Sequence, residues 1–445
     1  VLTFLLELKR LLSDGSFALY FYIVVVIWMV WGTKAVISAK YRPYSTPFEG
    51  TVSVIIPVVD EPVDLFREVL DRIRKQQPDE IIVVINGAKN PALEAVCDEL
   101  GIEHVHTSTP GKRNALREGV AVSSGEIAVL VDSDTVWTAN TLDELLKPFA
   151  DATIGGVTTN QRVLDPARNV LTRWANWMES VRSEYSMPAM SRLGTVGCLP
   201  GRTIAFRRSI LVRNMDRFMN ETFLGVFLEV SDDRTLTNYT LKDGYKTVYQ
   251  STSVVYTDAP TEFRVLAKQQ FRWARGSQYN TLRMSWWMLR NAPMLAFFYL
   301  TDIIVPFLIL GCVTSWLIVP FIAKDTNLYE EFLLPAHGAG LVFLLGLAIL
   351  MTVLSLVLRY SRHFGRQPAD ISLIPLFLLL NTFVLIPIRV WGFFQCARNA
   401  GWGTRNGGFR GEQQRGLGLY VPMVLGGLLL LASIALAVLP DRTLI

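Results

Sequence analysis

At 445 residues, 51% of them hydrophobic and only 18% charged, the chain is too apolar to be disordered and has room for one sizeable soluble domain plus several membrane spans. A formal net charge of +4 provides no general polyanion-binding surface, so nucleic acid is not an expected partner and any basic patch is local. The four cysteines, Cys97, Cys198, Cys312 and Cys396, lie far apart, without the paired spacing of a zinc site or a disulfide framework.

The sequence begins at Val1, which leaves no signal pattern to judge, and its first long apolar run covers 17–39. An ordinary soluble sequence follows. TVSVIIPVV predicts a strand, 64–77 an amphipathic helix, EIIVVIN a second strand, and Pro91 to Leu100 a helix. A short strand near 103–106, a helix from Lys112 and the strand of EIAVLVDSD continue the alternation. That rhythm is the signature of a parallel-rich α/β sheet with flanking helices, whose ligands bind at the carboxyl ends of the strands. The stretches 168–187 and 262–290 mix Trp, Tyr and Arg with aliphatic residues at helical spacing, the composition of helices lying in the headgroup plane of a membrane.

Further apolar runs occupy 294–323, 335–358, 371–394 and 417–440. The 359–370 loop carries Arg359, Arg362 and Arg366, whereas Lys324 is the only basic residue of 324–334, beside Asp325, Glu330 and Glu331. The first loop therefore belongs on the cytoplasmic side and the second outside. Arg398, Arg405, Arg410 and Arg415 place 395–416 on the cytoplasmic side too. A single crossing at 371–394 would conflict with that, and this run is interrupted by Pro375, Asn381 and Pro387. It is expected to be re-entrant or interfacial.

Four motifs carry chemistry. Asp132-Ser133-Asp134 ends a buried strand, where two carboxylates one residue apart suit a divalent cation that bridges phosphates. PGKRNAL puts Lys112 and Arg113 at a helix start, a place to receive an anion. In VSDDRTLT, the adjacent Asp232 and Asp233 raise one another's pKa, so that one can act as general base toward a sugar hydroxyl. QQFRW supplies Gln269, Arg272 and Trp273: an amide, a guanidinium for a diphosphate and an indole to stack on a pyranose.

The order VIIPVVDE, VVIN, GKRNAL, DSD, LPGRTIAFRRS, SDDRTLT, QQFRW and WGTR resembles the processive family-2 inverting glycosyltransferases, most closely the group of hyaluronan, chitin and type 3 capsule synthases. The resemblance runs from about Val52 to Arg405. It implies a GT-A-type α/β catalytic domain joined to an α-helical transmembrane region. The expected divisions are a segment 1–48 with one span, a cytoplasmic catalytic domain at 49–260, an interfacial helix at 261–293 and a transmembrane or interfacial region at 294–445. It further implies Asp60 and Asn86 near the nucleoside, Lys112 and Arg113 near the pyrophosphate, and Asp134 on Mg2+ or Mn2+ with Asp132 beside it. Asp233 becomes the general base, with Asp232 beside it. Gln269, Arg272 and Trp273 border the acceptor and the diphosphate, Gly201 and Arg202 belong to the acceptor loop, and Trp402 to Arg405 form a loop closing over the nucleotide.

Implied partners are a UDP-sugar donor, a growing polysaccharide or a lipid acceptor, and membrane lipids, in an integral protein of the plasma membrane. Three departures stand out. Asn86 replaces an aspartate common in the family, Leu199-Pro200-Gly201-Arg202 replaces a loop of small residues, and one span precedes the catalytic sequence where several relatives have two. The added Arg202 is suited either to an acidic acceptor sugar or to a nearby protein carboxylate.

Overall fold

A computed structural model describes residues 15–322, 350–398 and 416–438. The chain divides into two compact units, one made of Lys34–Phe297 with Gln395–Val421, the other of Val1–Thr33, Phe298–Phe394 and Pro422–Ile445.

The first unit is built on an eight-stranded sheet. Its strands in chain order are β1 (Val52–Val58), β2 (Glu80–Asn86), β3 (Glu103–Thr107), β4 (Ile127–Val131), β5 (Val136–Trp137), β6 (Ile154–Val163), β7 (Thr203–Arg207) and β10 (Lys246–Thr257), with β8 (Thr222–Phe223) and β9 (Val226–Phe227) forming a separate hairpin. The spatial order is β3-β2-β1-β4-β7-β6-β10-β5. The first four strands are mutually parallel, β7 is antiparallel to both neighbours, and β6 and β10 are parallel again. Central strands read as unbroken apolar runs because helices cover both faces; every residue of IAVLV in β4 is buried.

Helices of this unit are numbered after α1 (Gly15–Ala39): α2 (Val63–Arg74), α3 (Pro91–Leu100), α4 (Lys112–Val122), α5 (Thr141–Leu146), α6 (Val170–Val181), α7 (Met187–Arg192), α8 (Arg208–Met219), α9 (Asp232–Lys242) and α10 (Phe263–Asn291). Helix α4 lies unusually close to the sheet, since a Cβ on Gly119 would come within 2.4 Å of Ile55 Cγ2. That approach packs α4 against β1 and β2. Gly111, which precedes it, has a φ of 116°, a conformation open to glycine and costly for other residues.

The two stretches expected at the membrane surface differ. In α6 both Trp174 and Trp177 are buried in the protein, where the helix packs on β6. In α10, Phe263, Val265, Trp273, Trp286 and Leu289 are exposed, and the Arg290 guanidinium caps the Trp286 ring at 4.1 Å.

Among the described residues, four helices are long and apolar enough to cross a membrane: Leu19–Ala39, Pro293–Thr314, Pro368–Phe394 and Leu417–Ala437. Within the second unit, Trp31 Nε1 donates to the Arg359 carbonyl at 3.1 Å, the Arg359 guanidinium sits 5.7 Å from the Trp28 ring, and Arg389 pairs with Asp302 at 2.5 Å. Of the run 335–358, the part at 335–349 lies outside the described residues, and Leu350–Arg359 is helical. The prolines and Asn381 distort 368–394 without breaking it. A 3-10 turn over Pro368–Leu373 leads into helix, and a π turn at Asn381–Leu385 absorbs the amide lost at Pro387.

Candidate active site

Loops at the carboxyl ends of β1, β2 and β4 meet the starts of α4 and α9. Lys112, Asp132, Gly201, Asp232 and Asp233 line one small cavity with Pro57, Leu116 and Ile204. Lys112 Nζ pairs with Asp132 Oδ1. Burial alone would lower the lysine pKa, but the carboxylates of Asp132, Asp232 and Asp233 outweigh it, so the ammonium is held charged. Ser133, between the two acids of the DSD motif, donates to Glu61 Oε1 at 2.8 Å. That bond anchors the turn on the loop after β1, where Asp60 is exposed.

Asp233 faces the cavity from the first turn of α9. Its Oδ1 accepts from the Arg234 backbone N–H at 2.8 Å and from Ser231 Oγ at 3.2 Å, and its Oδ2 accepts from the Gly201 N–H at 3.2 Å. Burial pushes its pKa up, and the neighbouring Asp232 charge adds to this, against the lowering effects of the Arg234 N–H and of Lys112. A carboxylate tuned upward and fixed by three donors suits proton abstraction near neutral pH. Cys198 Sγ lies 3.9 Å from Asp233 Oδ2, and burial first, then that charge, pushes the thiol up to about 12. It is therefore a neutral neighbour and no nucleophile.

Other expected ligands are engaged elsewhere. Arg113 is 1% exposed and points into the protein, where Nε donates to Asp232 Oδ1 and Nη2 to Glu221 Oε2, each at 2.8 Å. Nη1 donates to the Phe218 carbonyl, and the guanidinium stacks on the Phe218 ring at 4.4 Å. The guanidinium expected near the pyrophosphate is thus engaged by protein groups, and removing one partner of such a buried pair costs about 3–5 kcal/mol. The same bond engages Oδ1 of Asp232, which also borders the cavity. Asn86 is buried, with its Oδ1 accepting from the Gly111 N–H at 3.0 Å and its Nδ2 donating to the Thr109 carbonyl at 2.8 Å. These bonds fix the loop from which Lys112 projects. Arg202 pairs with Glu179 at 3.2 Å and donates to Gln161 Oε1 at 3.2 Å, while Arg182 holds the other oxygen of Glu179 at 2.6 Å. The protein carboxylate is thus the partner that Arg202 has.

Gln269, Arg272 and Trp273 lie on α10 and are not among the residues lining the cavity. Just beyond them, the helix meets the base loop at Gly276, where an added Cβ would stand 2.6 Å from the Ser231 Cβ. Past that point α9 and α10 are joined by polar bonds. Arg234 donates to Ser277 Oγ and Thr281 Oγ1 at 2.5 and 2.7 Å, and Asn238 to Asn280 Oδ1 at 2.7 Å. Arg283 Nη2 donates to Tyr239 Oη at 2.9 Å, and Arg283 also ion-pairs with Glu221. Glu221, Tyr279 and Arg283 escaped the sequence reading; an acid in the largely apolar stretch from Phe218 to Val230, which also holds Glu229, was the available signal. Trp402 and Arg405 lie outside the described residues.

The family model described as glycosyltransferase like family 2 matches residues 49–276. Hyaluronan synthase of Streptococcus pyogenes serotype M3 is 27% identical over 418 residues, covering 91% of this chain and 95% of that protein. An N-acetylglucosaminyltransferase of Azorhizobium caulinodans is 30% identical over 244 residues, covering 53% of this chain and 62% of that protein. Among solved structures, a mannosyltransferase from Pyrobaculum calidifontis in complex with GDP-Man and Mn2+ aligns at a TM-score of 0.55 and 20% identity, covering 84% of this chain and 99% of that one. The likeness in fold, with the mixed and largely parallel sheet, is that of a GT-A domain.

Proposed function

Because the chain belongs to glycosyltransferase family 2, we propose that it is a processive inverting enzyme that moves sugar from a UDP-sugar to the growing end of a β-linked polysaccharide and passes the product across the membrane. The observation that carries this reading is the placement of Asp233 at the cavity it shares with Lys112 and Asp132, its carboxylate fixed by the Gly201 N–H and its pKa raised. The extent of the similarity to hyaluronan synthases, which spans both the catalytic sequence and the apolar helices, supports the polymer and the membrane.

In the proposed step, the acceptor hydroxyl oxygen attacks the anomeric carbon of an α-linked donor from the face opposite the diphosphate. The new C–O bond forms as the bond to the diphosphate breaks. The hydroxyl proton passes to Asp233, and UDP departs with the bonding electrons, so inversion produces the β linkage. Lys112 and Arg272 supply positive charge to the departing diphosphate. Asp132 and Asp134 are two oxygen donors, and among the described residues no group of three or more His, Cys, Asp or Glu could hold a metal. That donor set suits Mg2+ or Mn2+ that completes its shell with donor phosphate oxygens and water, and when bound the ion would neutralise charge on the diphosphate. Trp273, exposed on α10, supplies an indole to stack on an acceptor ring.

The test is to incubate purified protein in lipid nanodiscs with single and paired UDP-sugars, measure UDP release and size the product. A long polymer or a ladder is expected. A single glycolipid would replace the processive reading with transfer to a lipid acceptor.

A further inference from the structure

The sequence pairs Lys112 with Arg113 and Asp232 with Asp233, and the structure gives the members of each doublet different partners. Lys112, Asp232 and Asp233 line the cavity, while Asp232 also accepts from the buried Arg113 at 2.8 Å. The Arg113 guanidinium spends an N–H of each nitrogen on the protein: one on Asp232 in α9, one on Glu221 and one on the Phe218 carbonyl at the end of α8. Glu221, 2% exposed, gathers the rest of the site. Its Oε2 accepts from Thr235 Oγ1 of α9 at 2.9 Å and lies 3.4 Å from Tyr279 Oη of α10, and Arg283 of α10 ion-pairs with it. Tyr279 Oη donates to the Val230 carbonyl, three residues before Asp233, at 2.5 Å. One buried cluster thus ties the helix that carries Lys112, the helix that carries Asp233 and the helix that carries Gln269, Arg272 and Trp273.

We propose that Arg113 is the positioning residue of the base: through Asp232 and Glu221 it fixes α9 against α4 and α10, so that Asp233 meets Gly201 beside Lys112. A geometrically plainer role for Asp232, as a charge that only repels Asp233, does not require the second carboxylate, the aromatic stack or the bond to α8. Nor does a diphosphate ligand fit a guanidinium that is 1% exposed and already bonded at all three nitrogens. This inference rests on the reading of Asp233 as the base.

The test uses the full chain in nanodiscs and four measurements: turnover, KM for the UDP-sugar, UDP affinity by calorimetry, and the melting temperature. Arg113→Lys keeps the charge but cannot reach three partners with a planar fork. Its turnover is expected to fall about thirtyfold or more, with UDP affinity within about threefold of wild type, because the loss acts on base alignment and not on donor binding. Glu221→Gln, which keeps the shape and lies outside the cavity lining, is expected to give the same split. It carries the test with the same criteria if Arg113→Lys fails to fold. Asp233→Asn is the control for the base itself. Turnover within threefold of wild type in both network variants overturns the proposal while leaving the base reading intact. A tenfold or greater loss of UDP affinity in Arg113→Lys, with Glu221→Gln silent, overturns it in favour of a diphosphate ligand. Turnover and UDP affinity falling together with the melting temperature in both variants overturns it in favour of a purely structural cluster. Near-normal turnover in Asp233→Asn overturns the base reading and this inference with it.

Discussion

Gly276→Ala is the sharpest test of how the site is assembled, because the residue touches no reacting group yet sets the spacing between α10 and the base loop. An alanine Cβ there would lie 2.6 Å from the Ser231 Cβ, 3.2 Å from its Oγ and 3.3 Å from Val230 Cγ1. Carbon atoms pack at about 3.5–4.0 Å, so the helix and the loop must part by about 1 Å. The Ser231 side cannot yield by a rotamer change, since its Cβ is fixed to a backbone already held at φ 71°. Overpacking of this kind costs about 1–3 kcal/mol, whereas replacing glycine by alanine inside a helix returns about 1 kcal/mol, so the melting temperature should fall only modestly. Catalysis has no such compensation. Asp233 follows Ser231 by two residues, and a 1 Å misplacement of a catalytic group lowers the rate by about 100-fold. Turnover measured as UDP release at saturating donor should therefore drop by one to two orders of magnitude, with UDP affinity retained. A Gly276→Ala enzyme with wild-type turnover would refute the reasoning, and so would one whose loss is confined to donor affinity.

Asp233→Asn is expected to abolish transfer while UDP affinity stays within a few-fold, checked by UDP release and calorimetry, because the base acts on the acceptor and not on the diphosphate. Activity is expected to need a divalent cation, and Asp134→Ala to lose both that dependence and UDP binding; full turnover in excess chelator would count against it. The base works ionised, and burial raises its pKa, so the acid limb of kcat/KM should lie above the ordinary aspartate value of about 3.9. In Asp232→Asn, with one cause of that elevation gone, any remaining limb should move to lower pH, and a shift upward would contradict the assignment. For topology, cysteines replacing the exposed Arg366 and Lys89 should both be labelled only from the cytoplasmic side by an impermeant maleimide. Labelling on opposite faces would overturn the orientation drawn from loop charge.

What the sequence could and could not reveal follows from geometry at the level of single residues. The strands were legible because parallel strands covered on both faces must be continuous apolar runs, as in β1 and β4. The DSD turn was legible because it ends such a run. The charged doublets were not, because neighbours on an α-helix point about 100° apart. At the first turn of α4 this turns Lys112 to the cavity and Arg113 into the protein; at the first turn of α9 Asp232 and Asp233 both border the cavity, but only Asp232 bonds to Arg113. Read as a string, each doublet presents two equivalent groups for one task. Read as helices docked start to start, Arg113 and Asp232 become each other's counter-ions, and Lys112 and Asp233 border the same cavity. The same reasoning explains Arg202. A motif position sees only its sequence neighbours, whereas its partner Glu179 comes from α6, packed over the sheet from another part of the chain. Sequence motifs therefore mark the turns of the fold that carry charged groups. The partners those groups take come from 23 to 119 residues away.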